Sequence, residues 1–344
     1  MKYKLALIGF GTVGQGLCEI LASKREYLEE TYGFKWDVVA VSDKLKGSVC
    51  ARGGLDVKRL LELAKTGKPL EEYGGRMKGW DAIRTIRESN ADIVCEMTYT
   101  DIKTGQPATD HCRAALQTGK HVVTSNKGPA ALYYRELSAL AKKKGRRFLI
   151  EGTVMSGTPV INITRNELAG NTISAVRGIL NGTTNFILTN MEAGRPYQEV
   201  LAEAQKLGYA EADPTADVEG YDALAKVTIL ANVVMGGNLK PANIPCNGIT
   251  KITLADIEIA RANGKRWKLI GEVKRDGKKL TASVGPQQID LAHPLAGVMG
   301  AKNAVTFTTD LLGDVTVIGP GAGRKETGFS ILTDILDIHR NAKE

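Results

Sequence analysis

The amino-acid sequence predicts an α/β protein: a doubly wound parallel sheet, followed by a second, mixed α+β domain. Three observations carry this. Short apolar runs alternate with amphipathic helical patterns over residues 1–150, a glycine-rich turn follows the first run, and the pattern changes from Glu151 onward. Such alternation favours βαβ units and a parallel sheet. The strands are expected at Lys4 to Ile8, Asp37 to Val41, Asp92 to Met97, His121 to Thr124 and Arg147 to Ile150. The helices between them are expected at Val13 to Leu28, Lys58 to Lys65, Ala108 to Thr118 and Ala131 to Lys144, with Lys44 to Gly79 a long insertion rich in glycine and lysine. In the second domain, 151–304, strands are expected at Ile173 to Leu180 and Leu280 to Val284. Helices are expected at Tyr197 to Leu207, Asp222 to Val234 and Thr253 to Asn263. The segment from about 305 to 344 holds a strand (Thr316 to Gly319), a turn and a helix (Glu326 to Arg340), and is expected to pack back on the first domain.

Composition narrows the function classes. Charged residues make up 24% and hydrophobic ones 43% of 344 residues, the balance of an ordinary soluble protein. The net charge of +8 raises the question of a nucleic-acid partner. The one dense basic run, Lys142 to Arg147, ends a helical pattern and has no interleaved aromatics, so a solvated cationic helix end is preferred and nucleic acid is not expected. The five cysteines are scattered and the four histidines lack metal-ligand spacing, which points to a reducing, cytoplasmic setting without a disulfide framework. Neither a signal peptide nor a membrane span is expected.

The glycine-rich turn is Gly9-Phe10-Gly11-Thr12-Val13-Gly14, directly after a strand and opening a helix. In that context Gly9 serves a tight turn, Gly11 admits a pyrophosphate close to the backbone, and Gly14 lets helix and strand approach. The helix N-terminus offers free N–H groups to the phosphates. This is a Rossmann-type dinucleotide signature, and NAD or NADP is the implied cofactor. Asp43, at the end of the second strand, suits ribose hydroxyls and NAD, although it lies beyond the usual spacing of about 20 residues. Lys44 and Lys46 suit a 2′-phosphate. The residues leave both cofactors open, and the lysines tilt the reading towards NADP.

A second informative stretch is Leu207 to Lys226, which places Glu211, Asp213, Asp217, Glu219 and Asp222 within reach of Lys226. Asp222 and Lys226 are four apart and share one helical face. Taken alone, that pair is an ordinary surface ion pair. Beside a dinucleotide signature it suggests carboxylates that hold a substrate ammonium and a lysine that moves protons.

With Thr124-Ser125-Asn126-Lys127-Gly128-Pro129, Asn181-Gly182-Thr183-Thr184-Asn185 and Gly319-Pro320-Gly321-Ala322-Gly323 in order along the chain, the sequence resembles the homoserine dehydrogenase family. The resemblance spans nearly the whole length. It implies reversible NAD(P)-dependent interconversion of L-homoserine and L-aspartate 4-semialdehyde, a step of threonine, methionine and isoleucine biosynthesis, in a homodimer joined through its second, catalytic and dimerisation domain. Lys127 and Lys226 match the family lysines near the reacting alcohol. Glu211 and Asp222 match carboxylates that contact homoserine, and Tyr209, Asp217, Gly182 and Thr183 match positions lining that pocket. The six-residue turn Gly9 to Gly14, Asp43, Lys44, Thr98, Thr100, Ser125, Lys127 and Gly323 fall where the family touches the cofactor. Glu151, Val154, Ser156 and Thr158 match a loop whose main-chain oxygens bind sodium in the family. Because the chain stops soon after Gly323, a C-terminal regulatory domain with threonine feedback is not expected. Tyr99 departs from the family, which commonly has a small polar residue or proline there.

Oxidising a primary alcohol requires the hydroxyl proton to leave as hydride departs. No histidine lies in these motifs, so lysine is the candidate acid/base. Its ordinary pKa of about 10.4 falls on burial or beside a second ammonium. Lys226 is therefore read as the proton donor and acceptor, with Lys127 orienting the substrate oxygen. A dehydrogenase forming a thioacyl intermediate would need a cysteine paired with histidine, which neither Cys95 nor Cys112 offers. A dinucleotide-binding regulator would need a DNA-reading element, and none is evident.

Overall fold

The computed structural model describes residues 2–74 and 77–341. Two units emerge: residues 1–157 with 323–344, and residues 158–322.

The first unit runs β1 (Lys2–Ile8), α1 (Thr12–Ser23), α2 (Arg25–Tyr32), β2 (Lys35–Asp43), β3 (Gly47–Leu55), α3 (Val57–Lys65), β4 (Met77–Lys78), α4 (Ala82–Glu88), β5 (Ile93–Glu96), α5 (Ala108–Gln117), β6 (His121–Thr124), α6 (Lys127–Leu132), α7 (Tyr134–Lys143) and β7 (Phe148–Leu149). Its sheet has the order β4-β3-β2-β1-β5-β6-β7. The strands from β2 to β7 pair in parallel, while β3 joins β2 antiparallel and β4 joins β3 antiparallel. Leu5, Leu7, Val38, Val41, Ile93 and Cys95 are buried, as central strands covered on both faces require.

Two expectations are corrected in this unit. The first helix is not one piece from Val13 to Leu28: it breaks at Lys24, whose non-helical backbone (φ −112°, ψ 15°) ends α1 and precedes α2. The stretch from Lys44 to Gly79, expected as an insertion with the one helix Lys58 to Lys65, also adds two strands to the sheet. It holds β3, α3 and β4, although residues 75 and 76 lie outside the described residues. Glycines that blur the alternation of β3 (Gly53, Gly54) disguise it in the sequence.

The second unit runs α8 (Ile161–Arg165), β8 (Ile173–Ile179), α9 (Gly182–Met191), α10 (Tyr197–Lys206), α11 (Thr215–Val218), α12 (Tyr221–Ile229), α13 (Leu254–Ala262), β9 (Lys265–Asp276), β10 (Lys279–Asp290), β11 (Lys302–Thr309) and β12 (Gly313–Pro320). Its antiparallel sheet has the order β10-β9-β8-β11-β12. Helix α12 continues into a π turn, Leu230–Val234, inside the helix expected over Asp222 to Val234. The expectation that everything from about 305 packs back on the first domain is corrected. β11 pairs with β8, and β12 with β11, so these strands complete the second sheet. Only the segment from Gly323, with α14 (Arg324–Asn341), returns to the first unit, where a Cβ on Gly16 would lie 2.1 Å from the Arg324 carbonyl and one on Gly328 2.5 Å from Leu17 N. Among the described residues, no helix is long and apolar enough to cross a membrane.

Candidate active site

The candidate residues fall into two groups, one in each unit. In the first unit, β1 delivers Gly9 in the left-handed region (φ +94°), with its N–H donating to the Ser42 carbonyl at 2.8 Å. A Cβ there would sit 2.5 Å from the Met97 carbonyl oxygen, and one on Gly14 would sit 2.5 Å from the Gly9 carbonyl oxygen. Those two glycines are demanded by packing. Gly11 differs, because nothing lies within 4 Å of where its Cβ would be. Its missing side chain leaves room for a ligand, and Thr12 and Val13 then open α1 with its free N–H groups.

Asp43 fixes this turn from the end of β2. Its Oδ2 accepts the Phe10 N–H at 2.7 Å, and its Oδ1 accepts those of Leu45 and Lys46 at 2.9 and 3.0 Å. Beside it lies a cavity of about 450 Å³, lined among others by Ser42, Asp43, Lys44, Glu71, Trp80, Asp81 and Thr98. Thr98 and Thr100 follow β5. Asn126 holds the same strap from the β6 end: its Nδ2 donates to the Thr98 and Tyr99 carbonyls at 3.2 and 2.9 Å, while its Oδ1 accepts the Gly128 N–H. That cap starts α6, and its first residue is Lys127. Ser125 packs against Gly152, and Gly323 (φ +142°) leads into α14.

Of the loop residues matched to a sodium site, Glu151, Val154 and Ser156 are buried in the first unit. The Glu151 N–H donates to Asp334 Oδ2 at 2.9 Å, and Ser156 turns the chain with φ +54°, the one positive φ among described non-glycine residues. Thr158 opens the second unit and donates its hydroxyl to the Pro320 carbonyl. No group of three or more His, Cys, Asp or Glu among the described residues could hold a metal; an ion there would rest on main-chain oxygens.

In the second unit the chemistry gathers where β8 hands over to α9. Lys226, on α12, is 5% exposed. Its Nζ donates to the Leu180 carbonyl at 2.6 Å and pairs with Asp222 Oδ2 at 2.8 Å. Asn181 caps α9, its Oδ1 accepting the Thr184 N–H at 2.9 Å, while its Nδ2 donates to both Asp217 Oδ1 (2.7 Å) and Asp222 Oδ2 (3.0 Å). The Thr183 hydroxyl donates to the Tyr209 carbonyl at 2.5 Å and to Asp217 Oδ2 at 3.3 Å. Gly182 starts the helix where a Cβ would press to 2.7 Å from the Ala301 carbonyl oxygen. Burial first, and the neighbouring Asp222 second, raise the Asp217 carboxyl above the usual carboxylate range.

The structure thus gathers Lys226, Asp222, Asp217, Thr183 and Gly182. Of the carboxylates expected near Lys226, three make no hydrogen bond to this cluster among the described residues. Asp213 is exposed and accepts the Thr215 N–H, Glu219 accepts the Thr250 hydroxyl, and Glu211 is exposed on the segment after α10. The Tyr209 ring is 47% exposed and leans on Phe186. Two members were missed: the Leu180 carbonyl, which no side-chain pattern reveals, and the Asn181 amide, whose Asn-Gly context reads as a turn. Lys268 on β9 was missed as well. It is fully buried, donates to Asn185 Oδ1 and the Val298 carbonyl, and is lowered by burial to about 8.

A family model described as homoserine dehydrogenase matches residues 159–336, and one described as its NAD binding domain matches residues 9–151. An NAD(+)-dependent homoserine dehydrogenase of Pseudomonas canavaninivorans is 48% identical over 345 residues, which cover 99% of this chain and 97% of that one. A homoserine dehydrogenase of Methanocaldococcus jannaschii is 41% identical over 342 residues, 99% of each chain. A hyperthermophilic archaeal homoserine dehydrogenase, solved in complex with NADPH, is 31% identical with a TM-score of 0.84, covering 99% of this chain and 98% of that one.

Proposed function

The chain belongs to the homoserine dehydrogenase family, an NAD(P)-dependent oxidoreductase of L-homoserine and L-aspartate 4-semialdehyde, and we propose the residue roles by which it works. Bound nicotinamide supplies or accepts the hydride. Lys226 gives the proton to the forming alkoxide in reduction and takes it back in oxidation. Asp222 and the Leu180 carbonyl hold its ammonium in place, and Asn181 holds Asp222. Asp217 and Asp222 bind the substrate ammonium. Glu211, on its exposed segment, joins them when substrate is present. Lys127, at the first turn of α6, orients the substrate oxygen. The observation that carries this reading is the buried Lys226 with two fixed acceptors. Lys226→Ala should lower kcat by about 100-fold or more with little change in cofactor KM. Unchanged turnover at 340 nm would remove Lys226 from the reaction.

Three finer statements belong to the same reading. NAD is the preferred cofactor, against the tilt drawn from Lys44 and Lys46: Asp43, Glu71 and Asp81 line the cavity with Lys44, and a 2′-phosphate would add to that negative charge. A sodium ion rests on main-chain oxygens of the loop from Glu151. The buried Ser156 held at positive φ supports this, because such strain gathers at binding sites. Metal analysis after desalting into potassium buffer tests it. The chain forms a homodimer through the second unit, whose β11–β12 hairpin exposes Leu311, Leu312 and Ile318. Light scattering at a monomer mass would rule this out.

A further inference from the structure

Glu96 is the last residue of β5 and pairs in register with Ile8, the last residue of β1 before the glycine-rich turn. It therefore stands at the carboxyl edge of the sheet, where open α/β sheets bind their ligands. The side chain is fully buried. Its Oε1 accepts the Thr98 N–H at 3.2 Å, the Thr98 hydroxyl, and a proton from His111 Nδ1 at 3.4 Å, while Oε2 accepts the Thr124 hydroxyl at 3.2 Å. A carboxylate removed from water requires such donors, and two of them, Thr98 and His111, belong to the cavity wall.

His111 lies on α5, one turn after Pro107, and both line the cavity of about 450 Å³ beside Thr98 and Asp43. The ring is 5% exposed. Nδ1 faces Glu96, and Nε2 has no partner among the described residues. A ribose hydroxyl both donates and accepts, so it can pair with that nitrogen whether or not it carries a proton. We infer that His111, oriented by Glu96, contacts the cofactor through a hydrogen bond between Nε2 and a ribose hydroxyl of the dinucleotide. Nothing in the motifs points to it, because Glu96 and His111 are fifteen positions apart and come together only through the β5–α5 crossover.

The inference rests on the reading of this cavity as the dinucleotide site, and one titration separates the two. Trp80 lines the same cavity, so NAD+ binding is followed by tryptophan fluorescence. In the wild-type protein NAD+ should quench; a protein that does not bind NAD+ would overturn both the reading and the inference. His111→Leu should raise the NAD+ Kd about five- to tenfold, the effect of one neutral hydrogen bond. Because leucine leaves Glu96 short of a donor and folding can suffer, His111→Asn is measured as well, since its shorter side chain does not reach where Nε2 lies. A folded variant of either kind that binds NAD+ within twofold of wild type overturns the inference. So does a loss of kcat with cofactor Kd unchanged, which would make the pair structural.

Discussion

Asp217 is held by the Asn181 amide and the Thr183 hydroxyl, with a second carboxylate, Asp222, on the same amide nitrogen. Burial, and then Asp222, raise its pKa above the ordinary value of 3.8. A carboxyl raised in the folded state favours folding while protonated and opposes it once ionised. The cost is absent below pH 3.8 and grows as pH rises through the higher folded value. Asp217→Asn should therefore melt above wild type at pH 7.5, with the gap closing towards pH 4, while the homoserine KM rises about tenfold through the lost charge. A variant that melts lower at pH 7.5 would show that the anion is not a burden to the fold. Asn181 allows a sharper separation. Asn181→Ala loses the α9 cap, costing about 1 kcal/mol of stability, and loses the bridge that holds Asp222. Asn181→Ser regains the cap but not the bridge. Thermal melts should then recover with serine, and kcat should stay at least tenfold down. Recovery of both would reduce Asn181 to a helix cap.

Among elements, those written as continuous apolar runs were legible, and two helices opened by an asparagine cap were not. β1, β2, β5 and β6 stand within a few residues of their expected places because parallel strands buried on both faces have one pattern. Helices α6 and α9 escaped notice because each starts at an asparagine followed by residues that also suit a turn, and the same side-chain-to-backbone bond serves both. β9 and β11 were missed for a different reason. Basic residues at both ends of β9 hide its apolar centre, and the threonines of β11 read as polar although the strand is buried. At the site, Asp222 and Lys226 were visible through their four-residue spacing. Their partners at Leu180 and Asn181 depend on tertiary packing. Glycine also hides a packing rule: α1 and α14 touch where Gly16 and Gly328 have no side chains, and added Cβ atoms would meet backbone, which cannot yield. Gly328→Ala should cost about 2–3 kcal/mol, read as a lowered melting midpoint. A neutral effect would mean the helices can separate freely.

Across the whole chain, 46 basic residues against 38 acidic give +8, and a reader of composition alone would expect basic ligand sites. The sites oppose this. In the proposed reading the cluster around Lys226 offers Asp217 and Asp222 to an ammonium, and the cavity beside the glycine-rich turn presents Asp43, Glu71 and Asp81 with Lys44. Net charge acts at long range on encounter, whereas discrimination between ligands is decided within the Debye length of about 8 Å. The three cavity carboxylates are also fixed, because each accepts a main-chain N–H: Phe10 and others on Asp43, Ser48 on Glu71, Arg84 on Asp81. They cannot swing away from a 2′-phosphate, which carries about two negative charges. The expected kcat/KM is accordingly at least tenfold higher with NAD than with NADP. Glu71→Gln should narrow the ratio, since glutamine keeps an acceptor for Ser48 and removes the charge, whereas Asp43→Asn would also disturb the turn at Phe10. Added salt should narrow the ratio too, by screening the repulsion. A preference for NADP that weakens with salt would instead assign the choice to Lys44 and Lys46, and the basic surplus of the chain would then reach into the cavity after all.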